Sequence, residues 1–248
     1  MESAADRLGI VVLRIEKAAR RAGRDPKDIT LVAVTKTVAL ERILPYIQAG
    51  IRHLGENRVQ EALTKISELR VQGSEIKLHL IGPLQSNKAK KAVANFDMIQ
   101  SLDRWELAED LDRHSDILGK VQDCLIEVKV SDEPSKSGLA PEALPEFLER
   151  LTFLHHLRIR GLMGIPPLSA SGDAARPYFQ RLKRLFDDTT KTVSSFKFQV
   201  SGQSELETRN LKLPFDVLSM GMSSDFEAAI EEGSTMIRIG TALFGSRQ

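Results

Sequence analysis

A lysine that follows a buried strand is the first residue able to do chemistry. Lys36 comes directly after Ile29–Thr35, a run of apolar and β-branched residues that is typical of a strand covered on both faces. Loss of water around an amine lowers its pKa, and the neutral amine can attack a carbonyl carbon. A solvated lysine that closes a strand fits the same residues. The segment alone leaves both interpretations open.

A second segment, Ser219–Glu227, has features of a phosphate-binding turn. Ser224 and Glu227 have the spacing of a capping box, which predicts that a helix begins here, with Ser223 and backbone N–H groups just ahead of it. Gly221 would let the backbone come close to a ligand. Unpaired N–H groups and the positive end of the helix dipole suit a phosphate. An ordinary helix cap explains the same residues equally well.

The third segment, Thr235–Gly245, reads as a last strand, a Gly240-Thr241 turn and a short final helix. Arg238 alternates with Ile237 and Ile239, so its side chain should point to the face opposite theirs. If that face is the inside of a barrel, Arg238 needs a polar partner, because a buried unpaired charge is costly. A ligand or an interior carboxylate would serve. In α/β barrels, phosphates frequently bind at the loops after strands seven and eight.

These residues must be positioned by short β-rich runs that alternate with amphipathic helical runs, a pattern that predicts parallel βαβ units. Strands are expected at Ile29–Thr35, Ile51–Leu54, Lys77–Ile81, Met98–Ser101, Cys124–Val130, Leu157–Met163, Val217–Met220 and Met236–Ile239. Helices are expected within Ala5–Arg24 and at Leu40–Ala49, Arg58–Leu69, Asn87–Ala94, Arg104–Leu118, Pro141–Leu151, Arg176–Thr190 and Phe226–Glu232. Eight such units close most simply as one (β/α)8 TIM barrel, which typically needs about 250 residues.

One domain is therefore predicted over all 248 residues. The polar segment Lys191–Leu213 is longer than most connections between a helix and a strand. We predict that it is a surface excursion from the barrel.

Charge and cysteine content favour a small-molecule ligand. With Lys+Arg 35 and Asp+Glu 34, the formal charge is +1, so no global field would recruit nucleic acid or an acidic membrane. No apolar run approaches the roughly 20 residues of a membrane helix. Cys124 is the only cysteine, so an internal disulfide and a Cys-x-x-Cys metal site are both excluded, which fits the cytoplasm. No metal site is predicted.

Ordered motifs cover nearly the whole chain: VAVTK at 32–36, HLGENRVQE at 53–61, HLIGPLQSNK at 79–88, SDEPSKSG at 131–138, RGLMGIPP at 160–167, and the two C-terminal segments described above. Together they resemble the YggS/PROSC family of pyridoxal 5'-phosphate (PLP) homeostasis proteins, which are related to the barrel domain of bacterial alanine racemase. Residues 191–213 match the family poorly, so no site residue is predicted there.

The resemblance implies that PLP is the cofactor and that Lys36 forms the internal aldimine with it. It also implies that Arg238 meets the pyridine nitrogen, that Asn57 lies beside the ring, and that Ser223, Gly240 and Thr241 hold the phosphate. The predicted cofactor site comprises Lys36, Asn57, Met222, Ser223, Arg238, Gly240 and Thr241.

By resemblance, the protein is expected to serve intracellular PLP homeostasis, holding PLP as a Schiff base without efficient catalysis. Most PLP enzymes protonate the ring nitrogen with a carboxylate. Arg238 only donates hydrogen bonds, which leaves the ring a poor electron sink. The racemase relatives also use a tyrosine supplied by a second domain and a partner subunit. This chain ends at Gln248, so that domain is expected to be absent and the protein to be a monomer.

Two alternatives remain open from the sequence. One is a weak PLP-dependent amino-acid racemase or another PLP enzyme. The other is a barrel kept only as a scaffold for protein interactions. If the protein delivers PLP, PLP-dependent apoenzymes are the expected recipients.

Overall fold

A computed structural model describes residues 2–71, 75–131, 133, 137–199 and 215–245. Eight parallel strands form a closed barrel in which each strand pairs with its neighbours in the chain and the last pairs with the first. The strands are β1 Thr30–Val34, β2 His53–Glu56, β3 Lys77–Leu80, β4 Met98–Leu102, β5 Gln122–Glu127, β6 Leu157–Met163, β7 Val217–Ser219 and β8 Met236–Ile239. The predicted (β/α)8 TIM barrel is confirmed.

Helices surround the barrel, and all but the first and the last connect successive strands. They are α1 Ala4–Arg21, α2 Leu40–Gln48, α3 Val59–Val71, α4 Ala89–Asn95, α5 Trp105–Ile117, α6 Leu144–Leu151, α7 Arg176–Gln199, α8 Phe226–Glu231 and α9 Thr241–Phe244. The first helix is capped by Ser3 and Asp6, whose side chains bind each other's backbone N–H groups. Its buried face packs against α8 and α9. In this way α1 supports the last βα unit of the barrel.

The barrel wall separates two apolar clusters. The outer and larger one packs the strands against the surrounding helices. The inner cluster takes one residue from each of six strands: Val32, Met98, Leu125, Met163, Val217 and Met236. On β2 and β3, the inward positions are instead occupied by His53 and His79, whose rings contact each other. The inside of the barrel is therefore partly polar, whereas branched apolar residues dominate most barrels of this type.

Predicted and observed strands overlap at all eight positions, but the end of α7 was predicted wrongly. The helix was expected to end at Thr190 and continues to Gln199. Val193 is buried, so the apolar face of the helix extends into the segment predicted as an excursion. The remainder of that segment, 200–213, lies outside the described residues. Within the described ranges, no helix combines the length and apolarity needed to cross a membrane.

Candidate functional site

One cavity of about 680 Å³ opens at the carboxyl ends of the strands, where barrels of this type place their ligands. Its size lies within the usual range for small-molecule sites. All seven residues predicted from the sequence line it: Lys36, Asn57, Met222, Ser223, Arg238, Gly240 and Thr241. They come from the ends of β1, β2, β7 and β8. Closure of the barrel brings together residues that are up to 205 positions apart in the chain.

Apolar residues complete the cavity and were not predicted. Ile81 follows β3, while Ile165 and Leu168 follow β6. A single isoleucine or leucine after a strand has no sequence feature that separates a ligand-contacting role from core packing. Only the closed barrel shows that these side chains face the same space as Lys36.

The backbone beside Lys36 is strained. Thr37 has φ 59°, the only positive φ of a non-glycine residue among those described. A residue in this conformation persists only where its surroundings hold it, and such strain clusters at functional sites. The Thr37 N–H donates to the Glu61 carboxylate, and the Thr37 hydroxyl donates to the Lys36 carbonyl oxygen over 2.7 Å.

Four side chains hold this strained turn in place and are here called the Lys65 cluster: Thr35, Glu56, Glu61 and Lys65. Lys65 Nζ donates to the Thr35 carbonyl oxygen at 2.7 Å and contacts the Glu56 and Glu61 carboxylates at 2.9 Å each. The Thr35 hydroxyl donates to Glu56 Oε1 at 2.7 Å. Burial raises the pKa of Glu56, while the bonds from Thr35 and Lys65 oppose that rise. The cluster fixes the strand end that carries Lys36.

The loops after β7 and β8 are joined by one hydroxyl. Ser223 Oγ accepts from the backbone N–H groups of Gly240 and Ala242, at 3.2 Å each. The turn before Ser223 needs glycine, because Gly221 has φ 97° and an added Cβ would lie 2.5 Å from the Cβ of Ala229. The hydroxyl of the first loop and the backbone N–H groups of the second therefore lie together at one end of the cavity.

The predicted capping box of Ser224 and Glu227 is wrong. Helix α8 begins at Phe226, with Asp225 at the N-cap position. Glu227 instead forms an ion pair with Arg14 of α1, at 2.8 Å. This partner lies 213 residues away in the chain, so the local spacing could not reveal it. The Asp225 carboxylate accepts from the Met222 N–H at 2.6 Å and holds the loop in place.

Arg238 points into the barrel and is almost fully buried, with 4% of its surface exposed. Its guanidinium donates to Ser219 Oγ at 2.6 Å and to the Gly164 carbonyl oxygen at 3.1 Å. Both partners are neutral groups, so neither bond is an ion pair with an interior carboxylate. Burial lowers the pKa of Arg238 to about 10, against the opposing charges of Glu127 and Asp225. The guanidinium remains charged at neutral pH.

A smaller compartment of about 270 Å³ adjoins the main cavity and shares Asn57 and Ile81 with it. Glu127, at the end of β5, lines this compartment. Burial raises the pKa of the Glu127 carboxyl to about 7, helped by Asp103 and opposed by Arg238. Glu127 was not predicted as a site residue, because it lies inside a run that reads simply as a strand.

The chemistry of the main cavity suits an anionic ligand with a reactive carbonyl. Lys36 and Arg238 supply the positive charge and the amine, while the loops after β7 and β8 supply neutral donors. Among the described residues that line the main cavity, none is Asp, Glu, His, Cys or Tyr. Residues of these kinds would repel an anion or add a second acid or base.

Known proteins are similar to this sequence over nearly its full length. Residues 13–248 match the family model described as alanine racemase, N-terminal domain. The pyridoxal phosphate homeostasis protein of Aquifex aeolicus (strain VF5) is 41% identical over 246 residues, which cover 99% of each chain. The chain belongs to the pyridoxal phosphate homeostasis protein family. The resemblance seen in the sequence motifs is thereby confirmed.

Solved structures agree with membership of the pyridoxal phosphate homeostasis protein family. The structure of PipY from Synechococcus elongatus PCC7942, with PLP bound, is 37% identical with a TM-score of 0.76 and covers 94% of this chain and 100% of its own. An alanine racemase of Clostridium difficile 630 is 17% identical with a TM-score of 0.66, covering 98% of this chain and 57% of its own. That second likeness shows the shared barrel fold alone.

Proposed function

We propose that this protein binds PLP in the main cavity, through Lys36, and serves intracellular PLP homeostasis without efficient catalysis. The observation that carries the proposal is the shared cavity itself. It places the Lys36 amine, the Arg238 guanidinium and the donors of the loops after β7 and β8 around one space. The names of the relatives and the PLP bound to PipY support the same ligand.

Each side chain has a role that its chemistry allows. Bound PLP supplies an aldehyde that bonds covalently to an amine and a ring that can accept electrons. Lys36 Nζ would be the amine for that bond, and Arg238 would serve the ring nitrogen. Asn57 would contact the ring. The loops that carry Met222, Ser223, Gly240 and Thr241 line the same cavity and would hold the phosphate.

The weak catalytic capacity follows from Arg238. Its guanidinium keeps its protons at neutral pH and only donates hydrogen bonds. It therefore cannot transfer a proton to the ring nitrogen as a carboxylic acid would. Proton transfer to or from a substrate also needs a second group of suitable pKa. The described residues of the main cavity supply no carboxyl, imidazole, thiol or phenol for that purpose. Retention and release of PLP then become the main activity.

The adjoining compartment favours a second candidate function, a weak PLP-dependent amino-acid racemase or another PLP enzyme. The Glu127 carboxyl has a pKa near 7, which is suited to a general acid or base. It would have to reach across the shared boundary of the two compartments to act on a ligand held at Lys36.

Proton exchange at the α-carbon separates holding from catalysis. The protein loaded with PLP would be incubated with amino acids in deuterium oxide, and loss of the α-proton signal would be followed by NMR. We expect no exchange beyond that of the same concentration of free PLP. Exchange at enzymatic rates would contradict the proposal, and its loss in Glu127→Gln would then establish the second candidate function.

We further propose that PLP-dependent apoenzymes receive the cofactor and that the protein acts as a monomer in the cytoplasm. The buried and unpaired Cys124 supports a reducing compartment. Mixing the loaded protein with a PLP-dependent apoenzyme would test delivery, with recovery of the enzyme's activity as the readout.

A further inference from the structure

A chain of hydrogen bonds crosses the inside of the barrel from Arg238 to the opposite mouth. It is here called the interior chain and comprises Arg238, Ser219, Gln100, His79 and His53. Arg238 bonds to Ser219 at 2.6 Å and Ser219 to Gln100 at 2.7 Å. Gln100 bonds to His79 at 3.0 Å, and His79 to His53 at 2.9 Å.

The interior chain passes through the middle of the barrel rather than along its wall. Ser219 lies on β7 and Gln100 on β4, and these strands are not neighbours in the closed sheet. A 2.7 Å bond between them must therefore span the interior. Gln100 and Ser219 are fully buried and His79 is 2% exposed, so water cannot readily replace these bonds.

The hydrogen bonds of the interior chain can be donated in only one direction, from Arg238 toward Gln100 and from Gln100 toward His53. Arg238 has donors and no acceptor, so the Ser219 oxygen must accept from it. The single Ser219 proton then goes to Gln100 Oε1, which leaves the Gln100 amide nitrogen to donate to His79 Nδ1. Burial lowers the pKa of His79 to about 3, helped by the nearby His53 and Lys77.

A neutral His79 that accepts at Nδ1 carries its proton on Nε2, and it donates that proton to His53 Nδ1. A flipped Gln100 amide would instead place two donors on Ser219 and leave the Ser219 proton without an acceptor. The His79 tautomer, the Gln100 amide and the Ser219 hydroxyl are thus set together.

We propose that Gln100 and His79 are positioning residues that hold Arg238 in the orientation needed at the PLP site. The inference rests on the proposed function. Arg238 has two anchors, the Gly164 carbonyl oxygen and the Ser219 hydroxyl. A hydroxyl rotates freely unless its proton has an acceptor, and Gln100 provides that acceptor. Without Gln100, Ser219 can turn, and the guanidinium loses a fixed partner beside the cavity.

Gln100→Met is the sharpest test, because it keeps the length and removes both polar ends. Gln122→Met is the matched control. Gln122 is also fully buried, but it lies at the start of β5 and bonds to backbone oxygens of Asp97 and Asp123. We expect Gln100→Met to raise the Kd for PLP about tenfold and to shift the absorbance band of bound PLP. Gln122→Met should keep the wild-type Kd and band.

If Gln100→Met keeps the wild-type Kd for PLP and the wild-type absorbance band, the positioning role is overturned. An equal change in Gln122→Met would also overturn it, because the effect would then belong to general destabilisation. Wild-type protein that binds no PLP would overturn the proposed function, and the positioning role with it. Far-ultraviolet circular dichroism of each variant would check folding.

A measurement on the wild-type protein covers the case in which Gln100→Met does not fold. The ¹⁵N shifts of the imidazole nitrogens report the tautomer of each histidine without any bound PLP. We expect His79 to be neutral at pH 7 with its proton on Nε2. A proton on Nδ1 would contradict the direction of the interior chain and remove the basis of the inference.

Discussion

At the scale of single residues, Arg238 is the side chain that most limits what the site can do. Its position was predicted from alternation within the last strand, and the structure places it on the inner face as expected. Its partners could not be predicted. Ser219 lies 19 residues away and Gly164 lies 74 residues away, on separate strands or loops. Local patterns give the direction of a side chain, whereas its partners depend on how the barrel closes.

Replacement of Arg238 should weaken PLP binding more than loss of the Ser223 hydroxyl. We expect Arg238→Gln to raise the Kd for PLP about tenfold or more, because bonds from a charged donor are lost in a buried site. Ser223→Ala should have a smaller effect, since the backbone N–H groups of Gly240 and Ala242 remain. Titration followed by absorbance would measure both.

Arg158→Gln is the matched control for that comparison. Arg158 lies near the start of β6, is exposed, and pairs with Asp123, away from the cavity. Its Kd for PLP should equal that of the wild type. A larger loss in Ser223→Ala than in Arg238→Gln would contradict the roles assigned to the two residues.

At the scale of elements, the eight strands were predictable because buried parallel strands are nearly continuous apolar runs. The helix ends were less predictable. Helix α8 begins at Phe226, as predicted, but its capping box does not form, and Glu227 pairs with Arg14 of α1 instead. Helix α7 continues past Thr190, where the sequence looks polar, because Val193 packs into the core. In both cases the side chain packs or pairs with a distant part of the fold, which the local sequence pattern does not show.

The junction of β6 and β7 depends on a single glycine. Gly161 has φ 151°, and an added Cβ would lie 1.8 Å from the Val217 carbonyl oxygen. The pairing of β5 with β6 shifts register just before Gly161. We expect Gly161→Ala to lower the free energy of unfolding by about 3 kcal/mol, as measured by urea denaturation.

Gly9→Ala serves as the reference for that measurement. An added Cβ at Gly9, in the exposed face of α1, would meet nothing within 4 Å. Alanine also favours helix over glycine, so this variant should be as stable as the wild type or slightly more stable. An unfolding midpoint of Gly161→Ala equal to that of Gly9→Ala would show that the close approach to Val217 is not a constraint.

At the scale of the whole molecule, barrel closure produces the site. The family resemblance predicted seven of the residues that line the main cavity, in separate segments, and the closed sheet brings them to one mouth. The Lys65 cluster, Glu127 and the members of the interior chain other than Arg238 were not predicted. Their members look like ordinary strand or helix residues until the strands are arranged in a circle. His79 gave the one usable signal, since it stands between Leu78 and Leu80 in its strand.

The central claim is that Lys36 carries PLP, and an absorbance spectrum tests it most directly. Wild-type protein, Lys36→Ala and Lys129→Ala would each be incubated with PLP and freed of unbound cofactor. Lys129 lines the adjoining compartment and is the matched control. We expect the band of lysine-bound PLP, near the edge of the visible range, in the wild type and in Lys129→Ala, and its absence in Lys36→Ala. A band that persists in Lys36→Ala, or no band in the wild type, would contradict the account.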